Sequence, residues 1–305
     1  MAHGHAHAPV TASGGQRSRL LVVLALTLAV MAAEIVGGLV SGSLALLADA
    51  GHMATDAAGI ALALGAVTLA QRPARGRRTF GWQRVEIFAA VANGLLLLVV
   101  AGYVLVEAVR RIGRPPEIDS GLMLVVAVVG LVVNLGSLAV LHRGRDKSLN
   151  VRGAYLEVLA DALGSVAVIV AAVVVLTTGW TPADIVASAV IGCLVVPRAW
   201  HLLREALDVL LEAAPRGVDL DEVRAHILRV DGVLGVHDLH AWTITSGLPV
   251  LSAHVVVTDE ALDAGHGGRV LDALCACLGE HFDMAHCTFQ LEAPSHAGHE
   301  APVHD

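Results

Sequence analysis

Two pairs of metal-ligand side chains lie inside apolar stretches of the chain. His52 and Asp56 form one pair, and Glu157 and Asp161 form the other. Because residues four apart on a helix lie one turn apart on the same face, each pair presents two ligands in one direction. An ionisable group in hydrocarbon costs roughly 2.5–3.5 kcal/mol or more, so such groups usually face a partner, an ion or a water-filled path. The two pairs therefore predict a metal site built from two helices.

Composition indicates that these helices lie in a membrane. Of the 305 residues, 55% are hydrophobic and 16% are charged, whereas about 25% are charged in soluble proteins. A stretch of roughly 20 apolar residues can span a bilayer, and the sequence predicts six such spans: 20–40, 43–70, 85–109, 122–141, 155–177 and 185–200. Glu34 interrupts the first span, which we therefore expect to be retained rather than cleaved as a signal peptide.

Basic residues predict the orientation of the spans. Positive charge is concentrated in the loops between the second and third spans and between the fourth and fifth, in Arg72, Arg75, Arg77, Arg78, Arg84, Arg143, Arg145, Lys147 and Arg152. Loops rich in Lys and Arg remain in the cytoplasm. We therefore expect a multi-pass protein of the plasma membrane or cell inner membrane, with both termini cytoplasmic.

The composition changes after Pro215, where short apolar runs alternate with charged residues. The patterns predict a helix at 219–230, strands at 233–245 and 251–258, a helix at 262–282 and a strand at 287–291. The order αββαβ is typical of a small two-layer α+β domain. The predicted division is a membrane domain at 19–208 and a cytoplasmic domain at 209–293.

The two ends of the chain, 1–18 and 294–305, are rich in histidine and are expected to be disordered and to bind metal weakly. Their histidines are His3, His5, His7, His296, His299 and His304.

Other classes of function lack their sequence signals. The cysteines Cys193, Cys275, Cys277 and Cys287 form no CxxC pair, so neither a zinc finger nor a disulfide framework is indicated. The net charge of -8 is unsuited to nucleic acid. No Walker A pattern is present, so ATP is not expected to drive the protein.

Four segments carry a family resemblance: SLALLADAGHMATD at 43–56, FGWQRVEI at 80–87, NVRGAYLEVLADALGS at 150–165 and VHDLHAW at 236–242. In this order they resemble the cation diffusion facilitator family, and particularly its bacterial zinc, cobalt and cadmium exporters. The resemblance implies a homodimer in the lipid bilayer, whose subunits have six transmembrane helices and a ferredoxin-like cytoplasmic domain. It also implies export of divalent metal in exchange for protons, without an organic cofactor.

The resemblance implies that the transported ion binds His52, Asp56, Glu157 and Asp161. Many zinc-transporting members have His where this chain has Glu157, and a shell richer in oxygen discriminates less among zinc, cobalt and cadmium. Zinc remains the leading substrate. Metal binding requires neutral imidazole and ionised carboxylates, so protons and metal compete for the same groups. His52 and Asp49 are the candidates for proton coupling, although a packing role fits Asp49 equally well.

A second metal site is suggested in the cytoplasmic domain. The family can bind further metal at positions that correspond to His237, His254, His266, Gln290 and Glu292. Ordinary surface residues remain an equal alternative there.

Two other functions fit the same ligands. A membrane metal sensor would bind the ion without moving it. An intramembrane metal-dependent hydrolase would need a general base and an open coordination position, usually within a pattern such as HExxH, which this sequence does not contain.

Asp184, at the start of the last span, is interpreted as a charge that stabilises a helix N-terminus.

Overall fold

The computed structural model describes residues 14–113, 116–142, 149–262, 266–282, 284 and 286–297. His3, His5, His7, His299 and His304 lie outside these ranges, so the predictions made for them stay predictions. The described residues form two compact units, one within 1–61 and 93–200 and the other within 62–92 and 201–305, and the boundaries between the units fall within helices.

Six long helices account for the apolar part of the chain and confirm the six predicted spans. They are α1 (Gly14–Ser41), α2 (Leu44–Ala70), α3 (Val85–Arg111), α4 (Ser120–His142), α5 (Leu149–Thr178) and α6 (Pro182–Leu210). Each is long and apolar enough to cross a membrane. Most extend beyond the apolar stretch, because a helix that has formed adds further residues at little cost.

The ends of the chain differ from expectation where they are described. Residues 14–18 belong to α1 rather than to a disordered segment. Pro294–Ala297 forms a short helix.

Small side chains fill the core of the first unit. Helix α4 packs against both α1 and α5, and the buried cluster shared by α2, α4, α5 and α6 contains Ala45, Ala48, Ala127, Ala171, Ala172, Ala183 and Ala187. Small residues let helix backbones approach closely, which is the usual way in which membrane helices associate.

Asp184 joins two of these helices. It lies in the first turn of α6, and its buried carboxylate accepts hydrogen bonds from the backbone N–H groups of Leu44 and Ala45 at 2.8 and 3.1 Å and from the Ser43 hydroxyl at 2.6 Å. The first N–H groups of a helix have no partner within it. Asp184 was predicted to stabilise the N-terminus of its own helix. It does lie in the first turn of α6, but its hydrogen bonds cap the N-terminus of α2.

The second unit contains the predicted α+β domain. Its elements are α7 (Leu220–Ile227), β1 (Val233–Thr243), β2 (Pro249–Val257), α8 (Asp259–Leu262), α9 (His266–Phe282), β3 (His286–Glu292) and α10 (Pro294–Ala297). The order αββαβ is confirmed, with the short helices α8 and α10 added. The sheet order is β1-β2-β3, with β1 and β2 antiparallel and β2 and β3 parallel.

Helices α7 and α9 cover one face of this sheet. Leu251 and Val255 of β2 are fully buried in one cluster with Ile227 of α7 and Leu274 and Leu278 of α9. Because side chains alternate along a strand, His254 lies on the opposite face. The domain therefore presents a helix layer on one side and polar strand residues on the other.

The segment between α2 and α3 is fixed by contacts within the same unit. Arg84 donates to the Glu212 carboxylate at 2.8 Å, and the Thr245 hydroxyl donates to Glu86. Both contacts bring the start of α3 to residues that follow the last span.

Candidate metal sites

The first candidate site lies between α2, α5 and α6. His52 and Asp56 are on α2, with His52 Nε2 3.6 Å from Asp56 Oδ2. Glu157 and Asp161 are on α5, where the i to i+4 spacing places them on one face.

Arg198 of α6 connects the two pairs. Its Nη1 lies 3.4 Å from Asp56 Oδ2, and its Nη2 lies 3.3 Å from Glu157 Oε1. One guanidinium thus bridges carboxylates from two different helices. The sequence reasoning missed Arg198, although an ionisable residue inside the predicted span 185–200 was a signal that could have found it.

The four predicted ligands do not form a closed coordination shell. In the part of the chain that the structure describes, neither group of three or more donor atoms within 4.8 Å of one another includes them. Asp161 Oδ1 and His52 Nδ1 are nevertheless buried without a hydrogen-bond partner among the described residues. Buried polar atoms in folded proteins normally have such a partner. These two atoms therefore fit a site whose partner is an ion.

Two further carboxylates are buried close to this site. Asp49 on α2 is 2% exposed and lies against Gly164 of α5, where a Cβ atom would collide with its carboxylate. Glu34 on α1 is 1% exposed, and a Cβ atom at Gly130 of α4 would lie 3.0 Å from its Oε1. The two glycines therefore make room for acidic groups, and Gly164 lies about one helix turn from Asp161 on α5.

The second candidate site is on the open face of the sheet. Glu292 of β3 is buried, and its Oε1 lies 2.7 Å from His254 Nδ1 while its Oε2 lies 3.3 Å from His237 Nε2. Gln290 donates to Glu292 Oε1 at 2.9 Å. The donor atoms of the two histidines and Glu292 all lie within 4.8 Å of one another.

Strand register brings these residues together. His237 pairs with His254, and His254 pairs with Gln290, so the three form a row across the sheet. The register shifts between His237 and His240, where Asp238 has a φ of 50°. Such irregularities redirect side chains next to functional sites. Sequence patterns do not reveal a shift of this kind.

Two residues near this face stand apart from the group. His266, a predicted ligand, is the exposed first residue of α9 and is outside the described group of three. Cys287 packs against the helix-side core, and burial raises the pKa of its thiol to about 11, with Cys275 as a smaller cause. Burial therefore disfavours the thiolate of Cys287, and its contacts are with the helix-side core rather than with the histidines of the open face.

The fold and the paired acidic side chains define a class, that of multi-pass membrane proteins with ionisable groups between their helices. The chain belongs to the cation efflux family, as the motifs indicated. The cation efflux transmembrane domain matches residues 20–211, and the cation efflux protein cytoplasmic domain matches residues 215–294. The chain is accordingly a membrane transporter and not an enzyme.

Several characterised relatives match almost the whole chain. The metal cation efflux system protein CzcD of Cupriavidus metallidurans is 48% identical over 292 residues, which are 96% of this chain and 90% of the relative. The zinc transporter ZitB of Escherichia coli is 41% identical, with 96% of this chain and 93% of the relative covered. A cadmium, cobalt and zinc/H(+)-K(+) antiporter of Bacillus subtilis is 38% identical, with the same two shares of 96% and 93%.

Among solved structures, the metal-bound C-terminal domain of the CzcD transporter from Cupriavidus metallidurans matches with 41% identity. The match covers 25% of this chain and 99% of that chain, with a TM-score of 0.23.

Proposed function

We propose that the protein is an antiporter that exports zinc, and also cobalt or cadmium, from the cytoplasm in exchange for protons. The ion would bind His52, Asp56, Glu157 and Asp161. The observation that carries this proposal is the bridge that Arg198 makes between Asp56 and Glu157. A cation of the protein itself interacts with both ligand pairs, so their charges are close enough to be shared by one positive group.

The donor set is suited to a zinc-like ion. One imidazole and three carboxylates can supply the four nitrogen and oxygen ligands of a tetrahedral zinc site. Three oxygen ligands discriminate less among divalent ions than a site with two imidazoles would. A substrate range that includes cobalt and cadmium agrees with the name of the relative from Bacillus subtilis.

Competition at the ligands provides the coupling. Metal binding needs neutral His52 and ionised carboxylates, so each ion that binds displaces protons, and protons that return release the ion. Exposure of the site to the two sides of the membrane in turn would convert this competition into exchange. Asp49 is the second candidate for carrying protons, and its burial beside Gly164 of α5 supports that role.

The same proposal includes the arrangement of the protein. Residues 19–208 form the membrane domain in the plasma or inner membrane, and residues 209–293 form the cytoplasmic domain, with both termini in the cytoplasm. Two copies associate as a homodimer, as the name of the matched cytoplasmic domain family, ZT_dimer, suggests. No ATP is used. His237, His254 and Glu292 bind a further metal ion, with Gln290 beside Glu292 as an additional ligand, whereas His266 lies outside this group.

Zinc uptake into proteoliposomes tests the transport site. Asp161→Asn keeps the size of the side chain but removes its charge, so we expect flux to fall to the level of empty vesicles. Asp119→Asn is the matched control, because Asp119 is exposed at the start of α4, and it should transport normally.

Equal flux in the Asp161 and Asp119 variants would contradict the assigned ligands. Zinc binding by the wild type without any flux would instead favour a membrane metal sensor.

A further inference from the structure

A third group of metal-ligand side chains lies in the helix layer of the second unit. His226 is on α7, and Cys277 and His281 are one turn apart on α9. Their donor atoms all lie within 4.8 Å of one another. None of these residues belongs to either site described above.

The distances are close to those of a coordination shell. Cys277 Sγ lies 3.5 Å from His226 Nδ1. A tetrahedral zinc ion with ordinary bond lengths separates a sulfur ligand from a nitrogen ligand by about 3.5 Å. This pair therefore already has the spacing of two zinc ligands, and the donor atom of His281 lies within 4.8 Å of both.

One ring nitrogen of His281, Nδ1, already makes a hydrogen bond. Its Nδ1 lies 2.8 Å from the backbone carbonyl oxygen of Cys277. A carbonyl oxygen only accepts, so Nδ1 carries the proton, and Nε2 of the neutral ring has the lone pair that a metal needs. Histidines that bind metal usually donate their other N–H in this way, which fixes the orientation of the ring.

The surroundings allow an ion to enter and be held. His281 is exposed, whereas His226 and Cys277 are partly buried. Phe282 packs edge-on against His226, with the ring centroids 5.2 Å apart, and limits the freedom of that ring. Three protein ligands leave a fourth position for water.

We propose that His226, Cys277 and His281 bind a thiophilic divalent cation, of which zinc and cadmium are the chemical type. One thiolate and two imidazoles form a softer shell than either of the other two groups, which contain no sulfur. The site is on the helix side of the sheet, whereas His237, His254 and Glu292 are on its open side. The cytoplasmic domain thus has two independent metal sites on opposite faces.

Cobalt binding to the purified full-length protein tests the proposal. Cobalt replaces zinc in such sites and gives a thiolate-to-metal charge-transfer band only when sulfur is a ligand. We expect this band in the wild type and its loss in Cys277→Ser. Cys275→Ser is the matched control, because Cys275 is an exposed cysteine on the same helix, and it should keep the band.

A second variant tests the histidine without disturbing the core. His281→Gln should weaken cobalt binding at this site by more than about tenfold, since loss of even an outer-shell partner costs about 10–100-fold. Zinc added to the cobalt form should remove the band in the wild type.

Three results would overturn the proposal. They are a wild type without the band, a band that survives Cys277→Ser, and full affinity in His281→Gln. The last result would assign the three side chains to helix packing alone.

Discussion

Arg198 is the basic residue that contacts both pairs of predicted metal ligands in the membrane domain. It occupies the position between Asp56 and Glu157 where an incoming divalent cation would share both carboxylates. Under the proposed function, metal binding and the Arg198 contacts compete. The guanidinium then offsets part of the negative charge of the site when no ion is bound.

Removal of this competitor should tighten metal binding and slow release. We expect Arg198→Gln to bind zinc about fivefold more tightly in detergent, because a partly exposed ion pair is worth about 1 kcal/mol at most. Its zinc flux in proteoliposomes should fall. Zinc titration against a competing chelator dye measures the affinity.

Arg204→Gln is the control, because Arg204 is an exposed arginine on the same helix. If Arg198→Gln bound zinc no more tightly than Arg204→Gln, the competition would be disproved.

Glu157 sets the balance of oxygen and nitrogen ligands. Glu157→His would create a site with two imidazoles and two carboxylates, which suits zinc better. We expect flux to persist and the ratio of zinc to cobalt transport to rise. The measurement is paired flux in the same vesicle preparation, and a ratio equal to that of the wild type would show that Glu157 does not bind the ion.

At the scale of elements, helix termini fix the positions of the ligand-bearing helices. Asp184 of α6 caps α2 only eight residues before His52 in the sequence. The α2 ligands are therefore held to α6, the helix that also carries Arg198.

Asp184→Asn should destabilise the protein more than a similar change at an exposed cap. The neutral amide of asparagine has only one acceptor oxygen, so it cannot accept all three hydrogen bonds that the Asp184 carboxylate accepts. A buried donor left without a partner costs about 1–3 kcal/mol. Asp119, whose Oδ1 accepts from the Leu122 N–H at 3.0 Å, is exposed, and loss of such a cap costs about 1 kcal/mol.

Thermal unfolding in detergent should consequently show a larger fall in melting temperature for Asp184→Asn than for Asp119→Asn. Equal shifts would show that the buried cap does not hold α2 to α6.

The sequence predicted these elements where the pattern is local. The pairs His52 with Asp56 and Glu157 with Asp161 follow from helical spacing alone, and the α+β order follows from short alternating runs. The partner of Asp184, the bridge made by Arg198 and the cluster of His226, Cys277 and His281 all depend on helices that are distant in sequence. Such contacts are decided by tertiary packing, which periodicity does not contain.

At the scale of the whole molecule, composition was sufficient for the class. An apolar content of 55% and six long apolar runs indicate a multi-pass membrane protein, which is followed by a small domain of different composition. The bounds were less exact, as α1 shows by starting at Gly14. The reason is that helix ends depend on backbone hydrogen bonding more than on hydropathy.

The α+β domain also has features that the sequence predicted and features that only the structure shows. The sequence predicted the strand that carries His254, but Asp238 and its register shift were not predictable. A regular strand would have placed His240 differently relative to His254. The resemblance had already named the members of the second candidate site, and the structure separates His266 from the others.

Proton movement measured together with zinc movement tests the central claim most directly. Proteoliposomes that contain the wild type and a trapped pH-sensitive dye receive zinc outside, with no gradient imposed at the start. We expect zinc entry to be accompanied by proton exit, and we expect an imposed outward proton gradient to accelerate zinc uptake. Zinc flux that neither moves protons nor responds to the gradient would contradict proton-coupled antiport.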